Sequence, residues 1–369
     1  MGEIELLYSI PGRIPFKVDL TDKNIYESIG SASELSVSSR KSYVEKLKRA
    51  QKICMSAFGE RVSLTLMLLQ PPRTLAALKA STDSVRVLSN HLQALLAVMK
   101  HAKEFLILPE EVSVERLTKK WNSVFSPIAS EVEILKTSGE PSEKVSRSIL
   151  PWSRVYDKNI SLRKKAYRTL SEEDVSDMIL SDMYVLLEPR RVIDYARVFV
   201  RLNSDQVVPP DATGFIDLTL EKPTISITTF KTHKFEGDWT KELPRQLVKD
   251  VQLSMKVNPR EFLFMTSSGK KYESSDTFST YHRKRLFEWF GVPATPTTLR
   301  HSRATQVTAD PTLSLKEKMD IAKDMSHSLK MHMTYAYKPK REKDGSFEII
   351  IFDPIKKRFE TYACARKDI

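Results

Sequence analysis

Residues 215–231, FIDLTLEKPTISITTFK, decide how this chain is read. Ile216, Leu218 and Leu220 alternate with polar residues, and Ile225 and Ile227 alternate again after Lys222-Pro223. Period two on both sides of a turn-forming pair predicts a β-hairpin. A third strand is expected around Trp239. Working outward, the apolar period lengthens to that of a helix. On the carboxyl side this holds for LPRQLVKDVQLSM (243–255), SDTFSTYHRKRLFEWFG (275–291), TTLRHSRATQVT (297–308) and SLKEKMDIAKDM (314–325), the last opening with a Ser314…Glu317 capping box. On the amino side, Ser171 opens a helix carrying Val175, Ile179, Met183 and Leu186. EPRRVIDYARVFVRL (188–202), with Pro189 suited to a first turn, is read as a further helix. The expected fold is therefore mainly α with a small antiparallel β-sheet.

Composition narrows the function. Only ten of the 369 residues are glycine, and none falls at the spacing of a phosphate-cradling loop, which argues against a P-loop ATPase or a Rossmann enzyme. Cys54 and Cys364 lie far apart and form no paired motif, as suits a reducing, intracellular compartment. No apolar run approaches the length of about 18 residues that a membrane span needs, and the opening MGEIELLYSIPGR lacks the pattern of a signal peptide. A soluble chain with no membrane partner is expected. With 59 Lys and Arg against 47 Asp and Glu, the net charge of +12 favours a polyanionic partner, nucleic acid first.

Residues 1–140 read as a helical domain. Tyr43, Leu47, Ala50 and Cys54 share one helical face; Val85, Leu88, Leu92, Leu95 and Met99 share a second; Leu117, Trp121, Val124, Ile128 and Leu135 share a third, with Pro127 inside it. Among the polar faces, Arg40, Lys41, Lys119 and Lys120 are candidate DNA contacts. Residues 141–165 are expected as a linker, at whose start lies the second part of the polar stretch TSGEPSEKVSRS (137–148). A second domain is expected over 166–343. FEIIIFD (347–353) and RFETYACA (358–365) predict a C-terminal hairpin over 344–369.

Three clusters bear chemistry when taken together. They are Pro189-Arg190-Arg191-Val192-Ile193-Asp194-Tyr195, then Thr297-Thr298-Leu299-Arg300-His301-Ser302, then Ser326-His327-Ser328 followed by Tyr335-Ala336-Tyr337. Between the first two lies Phe230-Lys231-Thr232-His233-Lys234. In this order and spacing the chain resembles the tyrosine recombinase (phage-integrase-like) family of DNA breaking-rejoining enzymes. The wording of PRRxxDY and FKTHKFEG is most similar to recombinases of large eukaryotic DNA viruses and mobile elements, whose setting would be a nucleus or viral factory. The resemblance covers residues 170–340, and extends to the helical N-terminal part as a core-binding-like domain. It implies Arg191, Lys231, Arg300, His327 and Tyr335 as catalytic residues. Asp194, His301 and Thr297 would support them, and Arg190 and Lys234 would contact the DNA backbone. Three departures stand out. Thr297 replaces the family's histidine three residues before Arg300. Ser326 replaces the glycine before His327. The His327-to-tyrosine spacing brackets the usual one, and Tyr335 is preferred to Tyr337 because TYAY is similar to the family's RYAH.

The residue types suit the chemistry. Two guanidiniums are fixed, always-charged, bidentate donors for the non-bridging oxygens of a phosphodiester, where charge grows during cleavage. A tyrosine hydroxyl can attack phosphorus and keep the bond energy in a phosphotyrosine link, so no ATP is needed. A lysine can protonate the leaving 5′ oxygen. No metal or other cofactor is implied, and no HExxH or CxxC spacing occurs. The resemblance implies double-stranded DNA as partner and a homotetramer assembled on two duplexes. The competing readings are a catalytically impaired DNA-binding protein on the same fold, and a type IB topoisomerase-like enzyme that nicks and relaxes.

Overall fold

The computed structural model describes residues 19–139, 145, 148–337, 347–353 and 358–364. The chain divides into two units, Met1–Thr137 and Ser138–Ile369. The fold is mainly helical with one small mixed sheet and a separate hairpin.

In the first unit, serine side chains set the helix starts. Ser36, Ser63 and Ser84 each accept the backbone N–H three residues on and open α2 (Val37–Phe58), α3 (Leu64–Leu69) and α5 (Val85–His101). Gly59, at φ 70°, closes α2 in the left-handed conformation that favours glycine. Together with α1 (Asp19–Ser31), α4 (Pro71–Ala80) and α6 (Val114–Thr137) they enclose Ile25, Leu47, Leu68, Leu92, Val98 and Trp121. The Trp121 indole N–H donates to the Leu68 carbonyl at 2.8 Å, so this large core side chain carries no orphaned polar atom. The sequence reading named three of these helices. Leu64–Leu69 stands out in the sequence as an apolar run of core-helix length and is α3; α1 and α4 were passed over, the paired prolines at the start of α4 looking like a break. Leu135, expected on the buried face of α6, is exposed, since the packed stripe ends at Val132.

The second unit begins with α7 (Trp152–Thr169), which occupies residues 152–165 of the stretch expected as a linker. Its many Lys and Arg hide a stripe of Trp152, Val155, Asn159, Leu162 and Ala166 at spacings of three and four, and that stripe is buried. α8 (Glu172–Val185) starts at Ser171, whose hydroxyl accepts from the Asp174 N–H, and buries Val175, Ile179 and Met183. The long helix expected over 188–202 is a single turn, α9 (Val192–Tyr195), followed by strand β1 (Val198–Arg201). Val-Phe-Val is a strand-forming triplet, and pairing with a neighbouring strand decides its state.

That neighbour is β2 (Gly214–Asp217), which runs parallel to β1, so the sheet is mixed where an antiparallel one was expected. β3 (Thr224–Ile227) and β4 (Trp239–Glu242) follow antiparallel, giving the order β1-β2-β3-β4. Gly214 allows the β2–β3 approach: a Cβ there would meet the Ser226 carbonyl oxygen at 2.3 Å. Between β3 and β4 lies one helical turn, α10 (His233–Glu236). Ile216, Ile225 and Ile227 face Met183, Leu247, Val251 and Phe278 in the core, with α11 (Arg245–Val257) and α12 (Ser275–Phe290) contributing the last three.

Two capping boxes, Thr295 with Thr298 and Ser314 with Glu317, open α13 (Pro296–Ala309) and α14 (Leu315–Asp324). α15 (Leu329–Tyr335) follows. The C-terminal strands β5 (Phe347–Asp353) and β6 (Arg358–Cys364) pair antiparallel from Phe347 opposite Cys364 to Asp353 opposite Arg358, and β5 passes beside α13 of the same chain. The basic stretch 338–346 and residues 354–357, where the hairpin turn was expected, lie outside the described residues. Among the described residues no helix is long and apolar enough to cross a membrane, and no group of three His, Cys, Asp or Glu could hold a metal ion.

Candidate active site

The start of α13 fixes the centre of the site. With Thr295 as cap, Arg300 falls in the second turn on the inner face and is only 2% exposed. Its Nη1 donates to the Pro189 carbonyl at 2.9 Å, and its Nη2 contacts His327 Nε2. Burial, then the charge of Arg191, pulls its pKa down to about 10, so it stays charged at neutral pH.

His327 is delivered by the end of α14. The His327 N–H bonds to the Ala322 carbonyl at 2.8 Å and the Ser326 N–H to the Lys323 carbonyl at 2.9 Å, the paired bonds of a Schellman ending. Such an ending needs a left-handed residue, and Ser326 supplies it at φ 52°. This is why a glycine suits the position. Burial first, then Arg300, depresses His327 to about 2, so the ring is neutral. Accepting at Nε2 from a guanidinium leaves its proton on Nδ1. That buried Nδ1 has no hydrogen-bond partner among the described residues.

Tyr335 ends α15, half-buried against both histidines. Its ring is 4.2 Å from that of His327 and stacks on His301 at 4.3 Å and 12°, while the Arg300 guanidinium lies over it at 5.7 Å. The His301 Nδ1 bonds to the Tyr335 carbonyl at 2.8 Å. Tyr337 stacks on the same His301 ring at 4.7 Å. Both tyrosines therefore meet His301, and the Tyr335 ring also meets Arg300 and His327.

The tandem arginines divide their tasks differently from expectation. Arg190, expected at the surface against DNA, is fully buried. Its Nε donates to Asp194 Oδ2 at 3.1 Å and its Nη1 to the Asp324 carbonyl at 2.8 Å, and its guanidinium lies over the Phe230 ring at 4.8 Å and the Trp239 ring at 4.4 Å. It cannot reach a ligand surface from there. The hydrogen bond of Asp194 goes to Arg190, where Arg191 was expected. Arg191 is half-buried; its charge acts on Arg300, His327 and Asp194, and its Nη1 is buried with no hydrogen-bond partner among the described residues. Asp194 is ringed by Arg190, Arg191 and Arg300, which pull its carboxyl down against a larger upward push from burial.

Lys231 and Lys234 are exposed in the β3–β4 connection. Lys231 was expected to close the second hairpin strand; β3 ends at Ile227, and Lys231 falls in the loop directly after buried Phe230. Thr297 is exposed on the first turn of α13. In the first unit Lys41 and Lys119 are exposed and Lys120 is half-buried. Arg40 is also half-buried, with its Nε donating to the Leu35 carbonyl at 3.0 Å.

Several residues of the site went unnamed in the sequence. Asp324 takes the Trp239 indole N–H at 3.1 Å and pairs with Lys241, tying β4 to the helix end that carries His327. His332 is buried one turn before Tyr335, its ring 6.1 Å from His327. The His332 spacing to Tyr335 was readable as one helical face; the Asp324 contacts cross 83 and 85 positions, and no local pattern encodes them.

No protein-family model matches the chain. No curated protein matches it. Among solved structures it is similar to a XerA recombinase at 15% identity, over 86% of this chain and 94% of that one, with a TM-score of 0.35.

Proposed function

We propose that the chain is a DNA strand transesterase of the tyrosine recombinase kind, with Tyr335 as nucleophile. What supports the reading is one observation: residues from four separate segments, Arg191, Arg300, His327 and Tyr335, meet around one buried guanidinium. Two of them carry buried nitrogens with no hydrogen-bond partner among the described residues, Arg191 Nη1 and His327 Nδ1. Unmatched buried donors are costly and rare in a folded protein, and the oxygens of a phosphodiester satisfy them. In the proposed reaction a Tyr335 Oη–phosphorus bond forms as the phosphorus–O5′ bond breaks. The phenol proton leaves to water, the 5′ oxygen receives one from the Lys231 ammonium, and water returns a proton to Lys231, so the step is neutral overall. Attack by a 5′ hydroxyl on the phosphotyrosine reverses these steps and reseals the strand, so neither ATP nor a metal enters the scheme.

Lys234, Lys41, Lys119 and Lys120 are the proposed contacts to duplex DNA, and the proposed working assembly is a homotetramer on two duplexes. Integration in a virus or mobile element is the proposed setting. The exposed Thr297, in the place of the family's histidine, favours a second reading: a DNA-binding protein without cleavage. A duplex nicked beside the cleavage position separates the two. The transesterase traps itself covalently on that DNA and Tyr335→Phe binds without trapping; a binding protein gives no covalent species. Exchange of strands between duplexes marks a recombinase, and relaxation of supercoils alone marks a topoisomerase-like enzyme.

A further inference from the structure

The β3–β4 connection, residues 228–238, carries Lys231 on an exposed loop whose backbone hydrogen bonds beyond Thr229 are internal to it. The Thr228 and Thr229 N–H groups bond to the Thr213 carbonyl, and His233 pairs with Asp238 at 2.7 Å. What closes the loop at its base is Arg190. Phe230, just inside one end, and Trp239, at the other, both lie against the Arg190 guanidinium. The same guanidinium bonds to Asp194, three residues after Arg191, and to the carbonyl of Asp324, whose carboxylate takes the Trp239 indole. One planar, fully buried cation thus touches the arginine turn, both ends of the lysine loop and the end of α14. Only a guanidinium offers donors in its plane and two faces for rings at once; an ammonium cannot do both.

We propose that Arg190 is a positioning residue that fixes the lysine loop, and through it the Lys231 ammonium, against the Arg191–Arg300 cluster. This rests on the transesterase reading above. Arg190 contacts no reacting atom; its loss leaves the loop base open and Lys231 poorly aimed at the leaving oxygen.

Two measurements on Arg190→Lys test this. The first is cleavage of ordinary DNA against DNA with sulfur in place of the 5′ bridging oxygen, a leaving group that needs no proton. The expected result is a loss of about tenfold or more on ordinary DNA, restored to near wild type on the sulfur substrate, as for Lys231→Ala. Equal loss on both substrates, or no loss on either, overturns the proposal. The second measurement is amide hydrogen exchange across 228–238, which does not depend on activity. Faster exchange there, with α8 unchanged, is expected; unchanged loop exchange overturns the clamp. Should wild-type protein fail to cleave at all, the transesterase reading falls and the exchange result still decides whether Arg190 holds the loop. Phe230→Leu, which removes one ring and keeps the buried charge pair, must give the same two results if Arg190→Lys does not fold.

Discussion

The two units bury different things. In the first, the buried polar side chains are neutral or nearly so: Ser63, Thr65, Thr74, Ser89 and His91. In the second, the core carries the acids and bases Asp177, Asp182, Arg190, Asp194, Asp250 and Arg300, beside the neutral rings of His282, His327 and His332. A buried charge destabilises unless paired, and here Asp177 meets Arg285, Asp182 and Asp250 meet Arg163, and Asp194 meets Arg190, whereas Arg300 bonds to a carbonyl and a neutral ring. The difference marks the second unit as the place of the proposed chemistry. The first unit is assembled as a scaffold with charge on its surface, whereas the second holds charge inside and packs helices around it.

The largest expected effect comes from breaking a pair in the second unit. Asp194→Ala leaves Arg190, Arg191 and Arg300 without their shared carboxylate and should cost about 3–5 kcal/mol in chemical denaturation. A cost below about 1 kcal/mol would show that the buried charges do not depend on one another. Next is Arg300→Lys, which keeps the charge and loses the fork to Pro189 and His327. Cleavage should fall about 10²–10³-fold, while Lys41→Ala and Lys119→Ala in the first unit weaken binding and leave the rate at saturation unchanged. Similar losses from all three would erase the distinction between the units.

A smaller effect concerns acid. Burial depresses His282 to about 3, His327 to about 2 and His332 to about 4, each from an ordinary value near 6.5. Their folded pKa values lie below their unfolded ones. Their stabilising contribution is therefore complete above about pH 6.5 and is lost as the pH falls through the folded values, about 4 for His332, 3 for His282 and 2 for His327, because the unfolded chain takes up protons that the folded one refuses. Asp182, raised to about 8, works in the opposite sense across the same window, its contribution being lost as the pH rises. Single-site replacement isolates one histidine. His282→Phe should reduce the slope of stability against pH between 4 and 6.5 by about 1.4 kcal/mol per pH unit. An unchanged slope would mean His282 is protonated in the fold.

The smallest effect is at Ser326. Its left-handed backbone costs a serine more than a glycine, so Ser326→Gly should stabilise by about 0.5–1 kcal/mol. Loss of stability there would mean the hydroxyl contributes more than the strain takes away.

What was legible follows the same division. The stripes Leu47–Ala50–Cys54 and Leu88–Leu92–Leu95 were readable because helix period and burial coincide. So was the alternation at Ile216, Ile225 and Ile227. β1 was not, because Val198–Arg201 continues a plausible helical pattern and its partners in the fold, parallel β2 on one edge and Glu261 to Leu263 on the other, make it a strand. In the site, the order Arg191, Arg300, His327, Tyr335 was visible as residue types at intervals. The separate task of Arg190 was not, since two adjacent arginines look alike until Phe230, Trp239 and Asp324 are brought to one of them by the fold.

The central claim is that Tyr335 attacks DNA from within the Arg191–Arg300–His327 cluster. Its most direct test is to trap the protein on a nicked duplex, digest the complex and locate the nucleotide-bearing residue by fragment-ion mass spectrometry. The account predicts the adduct on Tyr335 and its complete absence in Tyr335→Phe. An adduct on Tyr337, or on any residue outside the cluster, or no adduct on DNA that the protein demonstrably binds, contradicts it.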